Sequence, residues 1–230
     1  MKHFINIKDV PYKTLRKILS DTKKRKDLRK KLKTLEIDKD NPLKGILLIQ
    51  MFEKSSLRTR LSFYLAIRQL GGSALTLRPD ELHLSKGGES LSDTAKILST
   101  YGDIFVLRTD NEKKLNSFKK FLSIPLINGL SPNSHPAQIL SDIFTIEEIT
   151  KKNISRLNIC WIGDSNNVLN SLIEASIKFS FKLNIGCPKN YNPPSEMLRM
   201  IRQKSSKIKI FNDPKIAIKN ADVVFCLLYT

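Results

Sequence analysis

The sequence predicts an α/β protein of two doubly wound parallel-sheet domains joined by a connector helix, 136–150, with the second domain incomplete. Two observations carry the two-domain architecture, and the stop inside the apolar run 222–230, with no helix after it, carries the expected incompleteness. Apolar strand-like runs alternate with amphipathic stretches of helical spacing, the pattern of a parallel sheet covered on both faces. The alternation pauses once, at SPNSHPAQILSDIFTIEEIT (131–150), and then restarts. The expected division is therefore 1–135, a connector helix 136–150, and 151–230.

In chain order, the region 13–35 reads as helix, because Leu15, Ile18 and Leu19, then Leu28, Leu32 and Leu35, recur at helical spacing. GILLIQMF (45–52) reads as the first strand, followed by a helix over about 57–70 that Gly71-Gly72 ends, and by SALTLR (73–78). Ser90 with Asp93 announces a helix over about 91–101, a capping box with the shorter acid. DIFVLRT (103–109), a short helix over about 111–121 and SIPLINGL (123–130) complete the first unit. Pro136 suits the first turn of the connector. Beyond it come LNICWIG (157–163), a helix over 167–180, FKLNIGC (181–187), a helix near 195–203, KIKIF (207–211), a short helix after Pro214, and DVVFCLLYT (222–230).

Composition narrows the function classes. The 230 residues are 40% hydrophobic, enough for real cores, which excludes a wholly disordered chain. No apolar stretch reaches the ~20 residues of a membrane-spanning helix, and MKHFINIKDVPYK lacks the apolar centre of a secretory signal. A cytoplasmic protein with no membrane partner is expected. Cys160, Cys187 and Cys226 form no CxxC and sit in or at the end of apolar runs, so they read as buried thiols. With only His3, His83 and His135 present and none near a cysteine, no zinc ligand set is expected.

Lys+Arg 40 against Asp+Glu 22 gives a net charge of +18. Half of that excess lies in 13–33, where eleven basic residues face Asp21 and Asp27. The helical leucine spacing there makes the lysines a solvated outer face. Polyanion binding is the alternative, but no aromatic residues interleave the basic ones and no nucleic-acid module is present, so no specific nucleic-acid partner is expected.

The densest chemistry is Phe52-Glu53-Lys54-Ser55-Ser56-Leu57-Arg58-Thr59-Arg60, between the first strand and its helix. A helix N-terminus offers N–H groups and partial positive charge, and hydroxyls and guanidiniums surround it, which suits an anion. The segment alone fits a serine N-cap followed by solvated arginines equally well, and Arg60 serves equally as an ion-pair partner. Arg108 ends an otherwise apolar strand, the edge at which open α/β sheets collect ligands. His135-Pro136-Ala137-Gln138 opens the connector helix; a histidine beside a proline is also an ordinary loop residue. Gly163-Asp164-Ser165-Asn166-Asn167 follows a strand but lacks the G-x-G-x-x-G glycines, which disfavours NAD or FAD. Its asparagines suit the polar groups of a small substrate.

Together these pieces resemble the aspartate/ornithine transcarbamylase family. The S-T-R-T-R phosphate loop of that family appears as Ser56-Leu57-Arg58-Thr59-Arg60, its strand-end arginine as Arg108, and its H-P-x-Q as His135-Pro136-Ala137-Gln138. The flanks Phe52-Glu53-Lys54, Glu89-Ser90 with Asp93-Thr94-Ala95, Asn128-Gly129-Leu130 and Trp161-Ile162-Gly163-Asp164-x-Asn166-Asn167 are similar to its ornithine branch. This last loop disfavours the aspartate branch. The resemblance spans residues 3 to 225.

The resemblance implies carbamoyl transfer from carbamoyl phosphate to the δ-amine of ornithine, giving citrulline and phosphate in arginine biosynthesis. It implies Ser56, Leu57 through its amide, Arg58 and Thr59 on the phosphate, and Thr59, Arg108 and His135 on the carbamoyl oxygen. Gln138 would orient the carbamoyl amide and Asn167 would hold the α-carboxylate or α-amino end of ornithine. It implies no metal or organic cofactor and a homotrimer, with His83 lent to the neighbouring subunit's site. Leu57 replaces the usual threonine, which matters little where only a backbone N–H is used. The loop 82–89 is one residue longer than usual, which leaves the register of His83 open. The family's D-x-W-x-S-M-G loop should follow Phe225, but Leu227 and Tyr229 stand at its aspartate and tryptophan. The expectation is a C-terminally shortened chain with a complete carbamoyl-phosphate half-site, an incomplete ornithine half-site and weak citrulline formation. A non-catalytic, polyanion-binding fragment is the alternative from another class.

Overall fold

A computed structural model describes residues 3–78, 88–204 and 206–227, including every side chain except that of Leu227. His83 and the loop around it lie outside these residues. The fold is α/β, with two four-stranded sheets in which every strand pairing is parallel. The chain divides into two compact units, one of residues up to Ile5 with Thr14–Pro132, the other of Asn6–Lys13 with the residues from Asn133 onward.

The first sheet contains β1 (Leu47–Phe52), β2 (Ser73–Leu77), β3 (Ile104–Arg108) and β4 (Leu126–Leu130) in the order β2-β1-β3-β4. Successive residues of a strand face opposite sides. Ile49 and Met51 of β1, with Phe105 and Leu107 of β3, enter one core; Leu48 and Val106 enter the other. The sheet is thus apolar on both sides. Helices α2 (Leu57–Gln69), α3 (Leu91–Tyr101) and α4 (Glu112–Phe121) link the strands. Ser90 caps α3 by accepting from the Asp93 N–H at 3.1 Å, as the capping-box spacing predicts. Gly71 ends α2 at φ +92°, a conformation that disfavours any side chain.

The lead helix is shorter than its leucine spacing suggests. α1 covers Tyr12–Leu28 and buries Leu15 and Leu19, but Leu28 is 78% exposed and Leu35 56%. The reason is electrostatic. Arg25 binds Asp38 at 2.8 Å and Asp40 at 2.9 Å, and Arg29 binds Asp38 and the Glu36 carbonyl, which folds the segment after a short 3-10 turn back against the helix. Arg25 and Arg29 are therefore structural ion-pair partners and not part of a solvated face.

The second sheet has β5 (Asn158–Gly163), β6 (Lys182–Gly186), β7 (Ile208–Phe211) and β8 (Val223–Leu227) in the order β7-β6-β5-β8. α5 (Pro136–Thr150) precedes it, and α6 (Asn167–Phe179), α7 (Ser195–Lys204) and α8 (Pro214–Ala217) connect its strands. Trp161 is fully buried and stacks on Phe225 with ring centroids 6.3 Å apart. Glu174, 3% exposed in the middle of α6, accepts from the Lys8 N–H at 3.1 Å, and the Lys8 ammonium lies 3.6 Å away. Burial pushes the Glu174 carboxyl above the usual carboxylate range.

One cysteine departs from expectation. Cys160 and Cys187 are buried, and burial, helped by Asp164, pushes the Cys187 thiol up to about 11. Cys226 is exposed, as is Val224 at 42%, two residues earlier and so on the same side of β8, a side left partly uncovered among the described residues. Among the described residues no helix is long and apolar enough to cross a membrane, and no group of three or more His, Cys, Asp or Glu side chains could hold a metal ion.

Candidate active site

The first unit gathers its candidate residues at the carboxyl edge of its sheet. Phe52 and Arg108 end neighbouring strands in register, and the pairing of β3 with β4 shifts between Leu107 and Arg108. Gly129 lies at that shift, and a Cβ there would stand 3.2 Å from Val106 Cγ1, a tight contact. Beyond Phe52, the Glu53 N–H donates to the Arg108 carbonyl at 3.0 Å. The Glu53 carboxylate accepts from both the Thr109 hydroxyl and the Lys114 ammonium. Thr109, 1% exposed, also takes the Asn111 N–H at 3.1 Å. The turn after β1 and the turn after β3 are thus pinned to each other at a carboxylate that is 13% exposed.

Ser56 occupies the N-cap position of α2 with extended backbone, yet its side chain makes no capping bond. Its hydroxyl oxygen accepts from Arg108 Nη1 at 3.0 Å instead. This decides against the simple serine-cap alternative, since the hydroxyl is spent on orienting the strand-end guanidinium. Leu57 is 66% exposed, Arg58 and Arg60 are exposed, and Thr59 is half-buried. Leu57 therefore has no apolar packing role that a threonine would lack. A cavity of about 290 Å³ opens at this edge, lined by Lys54, Arg108, Thr109, Asp110, Leu130 and Pro132. Lys54 lies 3.1 Å from Asp110 and holds that carboxyl below the usual range. Hydroxyl, guanidinium and ammonium groups at a helix N-terminus suit a small phosphorylated anion.

The second unit holds the remaining candidates. His135 is the N-cap of α5, 7% exposed, and Pro136 fills the first helical position. The His135 N–H donates to Ser171 Oγ at 2.8 Å, and Ser134 Oγ lies 3.1 Å from the same hydroxyl. Gln138 is exposed, and its amide donates to Asp142 Oδ1 at 2.8 Å. Burial pushes the Asp142 carboxyl up, which the Gln138 bond partly offsets. Gly163, at φ +135°, turns the chain out of β5. Asn166 then caps α6, its oxygen accepting from the N–H groups of Val168 at 2.9 Å and Leu169 at 3.1 Å. Asn167 is the first residue of that helix and half-buried.

Within each unit the structure therefore brings together Ser56 with Arg108, and places His135 against the helix that carries Asn167. The residues that sequence reasoning did not single out for a role are the supports. Thr109, Lys114 and Ser171 carry no motif. Ser171 lies four residues after Asn167, and that helical spacing is the one signal that could have found it.

Comparison with known proteins gives a consistent picture. The family description "Aspartate/ornithine carbamoyltransferase, carbamoyl-P binding domain" matches residues 2–148, and "Aspartate/ornithine carbamoyltransferase, Asp/Orn binding domain" matches residues 155–230. The ornithine carbamoyltransferase of Rhizorhabdus wittichii is 39% identical over 223 residues, covering 97% of this chain and 72% of the relative. That of Caulobacter vibrioides is 40% identical over 223 residues, covering 97% and 71%. Among solved structures, ornithine carbamoyltransferase from Pyrococcus furiosus superimposes with a TM-score of 0.90 at 32% identity, covering all of this chain and 72% of that one. The anabolic enzyme from Campylobacter jejuni gives 0.85 at 34% identity, covering 98% and 73%. With both family domains matched and the relatives this similar, the chain belongs to the aspartate/ornithine carbamoyltransferase family.

Proposed function

We propose that the chain transfers the carbamoyl group of carbamoyl phosphate to the δ-amine of ornithine, giving citrulline and phosphate. The observation that carries this reading is Arg108, held at the end of β3 by Ser56 Oγ at 3.0 Å beside an exposed arginine-bearing helix N-terminus. The aspartate reading is not favoured, because the relatives at 39–40% identity are named for ornithine.

The roles follow from donor chemistry. Ser56, the Leu57 amide, Arg58 and Thr59 bind the phosphate and neutralise its charge, which makes it a competent leaving group without a metal or organic cofactor. Thr59, Arg108 and His135 donate to the carbamoyl oxygen. The δ-amine nitrogen attacks the carbamoyl carbon, negative charge develops on that oxygen, the C–O bond to phosphate breaks, and the amine loses a proton. Donors held in place before the reaction stabilise that charge without reorganising. Gln138 orients the carbamoyl amide by accepting from it through Oε1, while its Nε2 donates to Asp142. Asn167 binds the α-carboxylate or α-amino end of ornithine. A homotrimer with His83 lent to a neighbour, a cytoplasmic location, and a place in arginine biosynthesis complete the reading.

The polyanion alternative is weakened by Arg25 and Arg29, which are committed to Asp38 and Asp40. The test is product analysis with carbamoyl phosphate and either ornithine or aspartate. Citrulline from ornithine and no carbamoyl-aspartate is expected; carbamoyl-aspartate as the main product would overturn the choice of acceptor.

A further inference from the structure

We infer that Ser171, on α6, is a positioning residue for His135, fixing the direction in which its imidazole points; this rests on the role of His135 proposed above. The first N–H groups of any helix have no partner within it, and Pro136 offers none, so the His135 N–H must find an acceptor elsewhere. His135 is 7% exposed, which keeps water from serving. Ser171, fully buried, accepts that N–H at 2.8 Å.

The bond is not the default for a helical hydroxyl. Serines and threonines inside helices commonly return their hydroxyl to the carbonyl four residues earlier. Thr94, Ser99, Ser141, Thr145 and Thr150 do so here, at 2.7 to 3.1 Å. Ser171 reaches across to a different segment instead. One residue earlier on α6, the Asn170 amide donates to the Asn133 carbonyl at 3.2 Å. Asn133, Ser134 and His135 are therefore gripped by two consecutive residues of one helix. The backbone at His135 is held at φ −137°, ψ 69°, outside the helical region, and that pair of angles sets where its Cβ points. Without the Ser171 oxygen the buried N–H must turn toward another acceptor, and the imidazole turns with it. Ser171 also lies one helical turn after Asn167, so the helix that presents the acceptor-binding asparagine also fixes the carbamoyl-oxygen donor.

The experiment is a double-mutant cycle read by calorimetry on the whole chain, with carbamoyl phosphate and inorganic phosphate as probes. Only the first has the oxygen that His135 donates to. Ser171→Ala should weaken carbamoyl phosphate about tenfold, the size of one charge-adjacent hydrogen bond, and leave phosphate affinity unchanged. Ser171→Thr, which keeps the hydroxyl, should restore it. In a His135→Ala background, Ser171→Ala should have no further effect, because neighbours that act through one group are not additive. Equal losses for both ligands, or a Ser171→Ala effect that persists undiminished without His135, would reduce Ser171 to a structural residue and overturn the inference. A parent that does not bind carbamoyl phosphate more tightly than phosphate, with no change in His135→Ala, would instead remove the role of His135 and the inference with it. Should Ser171→Ala fail to fold, Asn170→Asp, which keeps size but loses the donor to Asn133, must show the same selective loss; a uniform loss overturns the inference equally.

Discussion

The two units hold their candidate groups in opposite ways. In the first, Leu57, Arg58 and Arg60 are exposed on the opening turn of α2, and Arg108 bonds to Ser56. In the second, His135 is buried and its backbone is tied to Ser171, while Asn166 caps the helix that Asn167 begins. The difference follows the ligand chemistry proposed for each. A phosphate is recognised by charge, which acts over several ångströms and suits exposed arginines. A developing oxyanion needs donors aimed at one point, and aim requires a fixed backbone.

The largest effect is expected at Arg108, the strand-end guanidinium that Ser56 holds. Arg108→Ala should lower the rate of carbamoyl transfer by ~10²–10³, as removal of a single oxyanion donor does. Steady-state rates with saturating substrates check this; a loss under threefold would mean that Arg108 only neutralises charge, as its exposed neighbours do.

The next effect concerns what fixes that edge. Glu53→Ala strands Lys114 and removes the acceptor of Thr109. Breaking a fully buried charge pair costs about 3–5 kcal/mol, but Lys114 is 24% exposed, so about 2 kcal/mol of stability is expected from urea denaturation. A change within experimental error would mean that the two turns are held by their backbone bonds alone.

How much of this was legible in the sequence differs between the units for a physical reason. Strands, helices and the Ser90 cap follow from local rules of spacing and hydrogen bonding, so they could be read directly. The proposed phosphate loop and Arg108 could be singled out because hydroxyls and guanidiniums fall together after a strand and at a strand end, a local pattern of residue types. Ser171 and Thr109 could not, since a buried serine or threonine is common and its meaning lies in which distant N–H or carboxylate it meets. The lead helix misled because Leu28 and Leu35 share the helical spacing of Leu15 and Leu19, and the pull of Asp38 on Arg25 and Arg29 cannot be read from that spacing. Cys226 misled because an apolar run does not reveal whether both sides of its strand are covered.

A smaller effect sharpens the account of the second unit. Burial raises the Glu174 carboxyl, so the folded chain holds a proton that the unfolded chain has already released above its ordinary value of 4.5. The stability tied to that proton is fully present below 4.5 and is lost as pH rises through the raised folded value. The stability of the parent relative to Glu174→Gln should therefore fall from pH 4.5 upward, by denaturation at stepped pH. A difference that stays flat, or rises, would mean that the Lys8 ammonium at 3.6 Å outweighs burial.

The turn from Ser56 to Arg60 is the proposed phosphate site. Its most direct measurement is calorimetric titration of carbamoyl phosphate into the chain and into Arg58→Ala. Binding to the parent that weakens at least tenfold in Arg58→Ala is the predicted result, the scale expected when a charge-assisted bidentate hydrogen bond is removed. No binding to the parent, or equal binding to both, would contradict it.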